Sequence, residues 1–90
     1  MQSIDYTLVL EVRNSPGVLV RIAHVFARRG CNIRSLHVQP HDGDKWSTMI
    51  IIVRNVSHIG QIIQQLQKLV DVAGVTAHHA QQLTQGTSHP

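Results

Sequence analysis

The sequence predicts an α+β sandwich of ferredoxin-like β-α-β-β-α-β order: a four-stranded antiparallel sheet with two helices on one face. Two observations carry that prediction. Apolar residues recur with a period of two, or run unbroken, in four short stretches and with helical spacing in two longer ones, in the order strand, helix, strand, strand, helix, strand. The chain has 90 residues, which suffices for one core and leaves little margin of stability. Apolar residues make up 42% and charged residues only 14%, a surplus that implies an apolar face covered by another chain. Domain bounds are set at 4–79, with 80–90 as a polar tail expected to be disordered.

In the first strand, YTLVLEVR (6–13), Tyr6, Leu8, Leu10 and Val12 share one face and Thr7, Glu11 and Arg13 the other. Ser15 is expected to cap the first helix, with Pro16 in its first turn where a missing N–H costs nothing. From Gly17 to Arg29, Leu19, Ile22, Ala23 and Phe26 form an inward stripe widened by Val18 and Val25. Arg21, His24 and Arg28 fall on the opposite side, and Gly30 is the stop. NIRSLHVQ (32–39) is an edge strand of modest hydrophobicity, and His41 to Lys45 a hairpin-type loop carrying Gly43. WSTMIIIVR (46–54) has the unbroken run of a central strand. Its alternation puts Ile50 and Ile52 opposite Met49 and Ile51, without saying which pair meets the helices. Ser57 is expected to cap the second helix, with Ile59, Ile62, Ile63, Leu66 and Leu69 inward and Gln61, Gln64, Gln65 and Lys68 in water. VDVAGVTAH (70–78) closes the sheet. Cys31 is alone, which excludes an internal disulfide and favours a small buried hydrophobe.

The chemistry concentrates in VRNSPGVLVRIAHVFARRGCNI, residues 12–33. Gly17 opens the first helix without a Cβ, so a ligand can come close to unpaired N–H groups at the positive helix end, a small site for a carboxylate. Asn14 and Asn32 bracket the helix, and their amides can accept from an ammonium and donate to a carboxylate. Val18, Leu19 and Leu36 would hold an aliphatic side chain. The alternative is structural: Asn-x-Pro-Gly is common turn chemistry, and Asn32 tolerates an awkward backbone at a strand start. The asparagines need not meet within one chain. Pairing of edge strand 32–39 with its copy in a second subunit would bring Asn32 of one near Asn14 of the other and remove an exposed edge.

NSPGVLVRIAHVFARRGCNIRSLHV closely resembles the small regulatory subunit of acetolactate synthase, an ACT-domain family, through Asn14, Gly17, Leu19, Arg21, Ile22, Phe26, Arg28, Arg29, Gly30, Asn32, Ile33, Ser35 and Leu36. QLQKLVDVAGV (65–75) resembles the same family, and the likeness covers about residues 4–78. It implies a non-catalytic subunit that activates a catalytic partner in branched-chain amino acid biosynthesis. It also implies feedback inhibition by valine or a related amino acid bound at a homodimer interface. The effector positions it implies are Asn14, Gly17 and Asn32, with Val18, Leu19 and Ile33 beside them. The chain itself would hold no cofactor; thiamine diphosphate, Mg and FAD belong to the catalytic partner. Two departures stand out. The family often has Ser-Arg before Met-Thr, where this chain has Ser47-Thr48-Met49-Ile50, and many members carry a further C-terminal domain, so this chain resembles the short subunits or a truncated form.

Other classes fit less well. Seven histidines invite a metal, but His78 and His79 point to opposite strand faces and His37 lies on the far edge. RNA-binding modules of this strand order need aromatic stacking residues on the open face, where the third strand reads MIIIV. A net charge of +3 is too weak to imply nucleic acid by itself. No grouping of Asp5, Glu11, Asp42, Asp44 or Asp71 suggests a catalytic pair. No signal peptide or 18-residue apolar span is visible, so a cytoplasmic protein with no membrane partner is expected. The remaining alternative is a free-standing ACT amino-acid sensor that regulates another enzyme.

Overall fold

The computed structural model describes residues 5–54 and 58–79. Six elements follow the expected order: β1 (Tyr6–Arg13), α1 (Val18–Arg28), β2 (Ile33–His41), β3 (Trp46–Val53), α2 (Ile59–Gln67) and β4 (Val72–His79). The sheet is antiparallel in the order β2-β3-β1-β4. β3 and β1 are central, β2 and β4 are edges, and the bounds fall within two residues of the expected ones.

Period two decides the core. Leu8, Leu10 and Val12 of β1 and Met49, Ile51 and Val53 of β3 are buried against Val18, Ile22 and Phe26 of α1 and Ile62 and Leu66 of α2. This settles the open alternation in β3. Met49 and Ile51 point to the helices, and Ile50 and Ile52 lie half-buried on the uncovered face beside Val9 and Thr7. Cys31 joins the core at 6% exposure, and burial pushes its thiol pKa up.

Several local expectations change. Ser15 is not the helix cap. Its carbonyl accepts from the Val18 N–H at 3.1 Å, closing a turn, and Gly17 is the N-cap with φ +81°. Only a residue without a Cβ enters that left-handed conformation freely, so the helix starts after the glycine. Leu19, assigned to the inward stripe, is 43% exposed because the buried stripe of α1 runs through Val18, Ile22 and Phe26 and leaves it at the margin. The proposed Ser57 cap lies outside the described residues, as does tail 80–90; His58 holds the N-cap position of α2. His58 is half-buried, with its Nε2 3.4 Å from the Arg29 carbonyl. Val70, expected in the last strand, stands in the preceding turn, and β4 starts at Val72.

The edge strand β2 is the weakly covered part of the sheet. Leu36 and Val38 are in register with Ile51 and Met49, so they share the helix-side face, yet they are 41% and 39% exposed. Neither helix extends over them.

Candidate functional site

At the end of β1 the chain turns through Ser15, Pro16 and Gly17 into α1. The Arg21 N–H reaches the Gly17 carbonyl at 3.0 Å, whereas the Leu19 and Val20 N–H groups have no acceptor among the described residues. Two donors without an acceptor among the described residues thus stand at the positive end of an 11-residue helix. The approach to Gly17 differs from the expected one. A Cβ built there would lie 3.0 Å from Nη1 of Arg21, so a guanidinium, and not open space, stands on that side of the glycine. Arg21 is held by the Asp71 carboxylate and, at 3.4 Å, by Ser15 Oγ. That guanidinium, donating to the Asp71 carboxylate, keeps its pKa below the ordinary value.

Asn14 is engaged more fully than expected. Its Nδ2 donates to the Asp44 carbonyl at 2.7 Å and weakly to the Trp46 carbonyl at 3.5 Å, and its Oδ1 accepts from Ser47 Oγ at 2.6 Å. The β2–β3 turn explains the geometry. Asp42, Gly43 and Asp44 all have positive φ, which folds the Asp44 carbonyl toward the end of β1. Asn14 therefore ties the end of β1 to the β2–β3 hairpin and keeps one spare lone pair on Oδ1. The energetic consequence is asymmetric. Ser47 is buried, so Asn14→Ala strands its hydroxyl and is expected to cost about 1–3 kcal/mol, whereas Ser47→Ala leaves an exposed amide to water and should cost about 1. Urea unfolding of both variants checks the order.

Asn32 sits at the opposite end of α1, exposed, and its side chain makes no hydrogen bond among the described residues. With Phe26, Ala27, Cys31 and Ile33 it borders a shallow cleft of about 380 Å³ at the α1–β2 junction. An 11-residue helix is about 16 Å long, so one chain does not bring Asn14 and Asn32 onto one small ligand. The expected apolar ring also separates. Val18 is 8% exposed and belongs to the core, while Leu19 and Leu36 are free for contact. Ile33 is half-buried beside Asn32.

Sequence reasoning missed Arg21, Ser47 and the 42–45 turn as parts of this region. Arg21 was legible, since it stands one helical turn after Gly17. Ser47 and Asp44 were not, because only the β1–β3 pairing brings them to Asn14.

The profile of the AHAS small subunit-like ACT domain matches residues 8–74. The chain belongs to that family. This ACT chain is 42% identical over 74 residues to the "Probable acetolactate synthase small subunit" of Archaeoglobus fulgidus, a match covering 81% of this chain and 46% of that protein. The crystal structure of the acetolactate synthase small subunit from Thermotoga maritima superposes with a TM-score of 0.71 at 38% identity, covering 81% of this chain and 46% of that one. The ACT domain from GTP pyrophosphokinase of Chlorobium tepidum superposes at TM-score 0.70 and 16% identity, covering 86% of this chain and 100% of that domain, a likeness of fold alone. The ACT chain thus spans about half the length of the small subunits it matches.

Proposed function

We propose that this chain is a non-catalytic regulatory subunit of acetolactate synthase. It activates the catalytic subunit and binds valine or a related branched-chain amino acid between two copies of itself. The observation that carries the dimer is the bare β2 edge with Leu36 and Val38 uncovered on its helix side. Antiparallel pairing of two β2 strands covers these residues, satisfies the edge N–H and C=O groups, and sets the start of one strand beside the end of the other. In that arrangement Asn32 of one copy approaches the Asn14–Gly17 turn of its partner. The effector carboxylate then takes the Leu19 and Val20 N–H groups and the Asn32 amide. Its ammonium takes the spare lone pair of Asn14, and its side chain rests near Leu19, Leu36 and Ile33. Regulation follows if the catalytic partner favours one of two dimer geometries and the effector the other.

The test is to mix the chain with a purified acetolactate synthase catalytic subunit and assay turnover with and without valine, leucine and isoleucine. Stimulation by the chain, reversed by one of these amino acids, is the expected result. Amino-acid binding without any stimulation would point instead to a free-standing sensor for another enzyme.

A further inference from the structure

Neither helix contains an acidic residue: α1 reads VLVRIAHVFAR and α2 IGQIIQQLQ. A helix face that only meets water ordinarily mixes both signs, since opposite charges one turn apart stabilise it and like charges do the reverse. Here Arg21, His24 and Arg28 of α1 face Gln65 and Lys68 across a groove of about 260 Å³ between the helices. Val25 and Leu69, which pack against the core, supply its apolar part. Arg21 is paired with Asp71, but Arg28 and Lys68 have no ion-pair partner among the described residues. Three of the chain's five carboxylates are spent on Arg34, His41 and Arg21, and the other two lie in the β2–β3 turn.

Charge and shape select the ligand. Arg21 is held by Asp71, so the unpaired cations of the groove are Arg28 and Lys68. The groove is also smaller than the ~300 Å³ at which small-molecule pockets begin. A peptide segment with acidic residues can pair with Arg28 and Lys68 and lay an aliphatic side chain on Val25 and Leu69. No groove residue lies on β2, so the surface stays open when that edge pairs.

We infer that this groove is the docking surface for an acidic segment of the catalytic acetolactate synthase subunit, an inference that rests on the regulatory reading above. The experiment titrates the chain against the catalytic subunit at low and high salt, using wild type, Arg28→Glu, Lys68→Glu and Arg54→Glu. Arg54 is exposed on the strand side, away from the groove, and matches the charge change. The milder Arg28→Gln and Lys68→Gln serve if a reversal fails to fold. The expected result is a dissociation constant raised about tenfold by each groove reversal at low salt, less at high salt, with Arg54→Glu within about twofold of wild type. Wild-type binding unchanged by the groove variants, or weakened equally by Arg54→Glu, overturns the docking surface and leaves the regulatory reading standing. Wild type that neither binds nor stimulates overturns both.

Discussion

Gly17→Asp is expected to lower valine affinity at least about 100-fold, which is ~2.7 kcal/mol of binding free energy, while leaving the fold intact. Gly17 is the N-cap of α1, and Leu19 and Val20, the second and third helical positions, have N–H groups without acceptors among the described residues. An aspartate there places a negative charge and bulk at the helix end where the proposed effector carboxylate sits, beside the Arg21 guanidinium. Aspartate tolerates the left-handed backbone at φ +81° better than most residues. Gly17→Ala separates the causes. It carries the same backbone strain, about 1–2 kcal/mol, without a carboxylate, and should keep most of the affinity. Calorimetry with valine decides. Undiminished binding to the aspartate variant would show that the carboxylate site lies elsewhere, and equal loss in the alanine variant would show that backbone geometry, not charge, is the requirement.

The second large effect concerns assembly. Leu36→Asp with Val38→Asp should convert a dimer of two 10.0 kDa chains into monomers and abolish valine binding with it. Both side chains stand at about two-fifths exposure in the single chain, so folding tolerates the change. At a paired edge the four introduced carboxylates face one another across the twofold axis on a surface meant to be dry. Val70→Asp, at a turn residue 92% exposed, introduces the same chemistry away from the edge and should leave the mass unchanged. Sedimentation at micromolar concentration reads the result. A wild-type chain that sediments as a monomer, or a double variant that remains dimeric, would remove the β2 edge as the interface.

The open sheet face carries its own polar network. Thr48 Oγ1 donates to Glu11 at 2.7 Å, and His41 Nε2 lies 3.0 Å from the other carboxylate oxygen. The threonine hydrogen bond first, and His41 after it, hold the Glu11 pKa below its ordinary value. The cluster joins β1, β3 and the far end of β2, so it steadies the edge strand on which the proposed dimer depends.

The sequence by itself determined the element order, the alternation within each strand and the family. Period-two and helical-period patterns are local, and burial of one face enforces them. The NSPG…RRGCNI spacing is likewise a property of the chain, and it singles out Asn14, Gly17 and Asn32 as candidates. Only the tertiary structure decided how those residues are used. Leu19 stays exposed because packing centres the buried stripe of α1 on Val18, Ile22 and Phe26, a choice within a broad apolar face that the hydropathy pattern leaves open. Ile50 and Ile52 took the open face because the helices cross one side of the sheet, and alternation alone cannot tell the two sides apart. Asn14 turned toward the β2–β3 hairpin because strand pairing delivers Ser47 and the Asp44 carbonyl from 33 and 30 residues away. Contacts of that separation exist only once the sheet has closed.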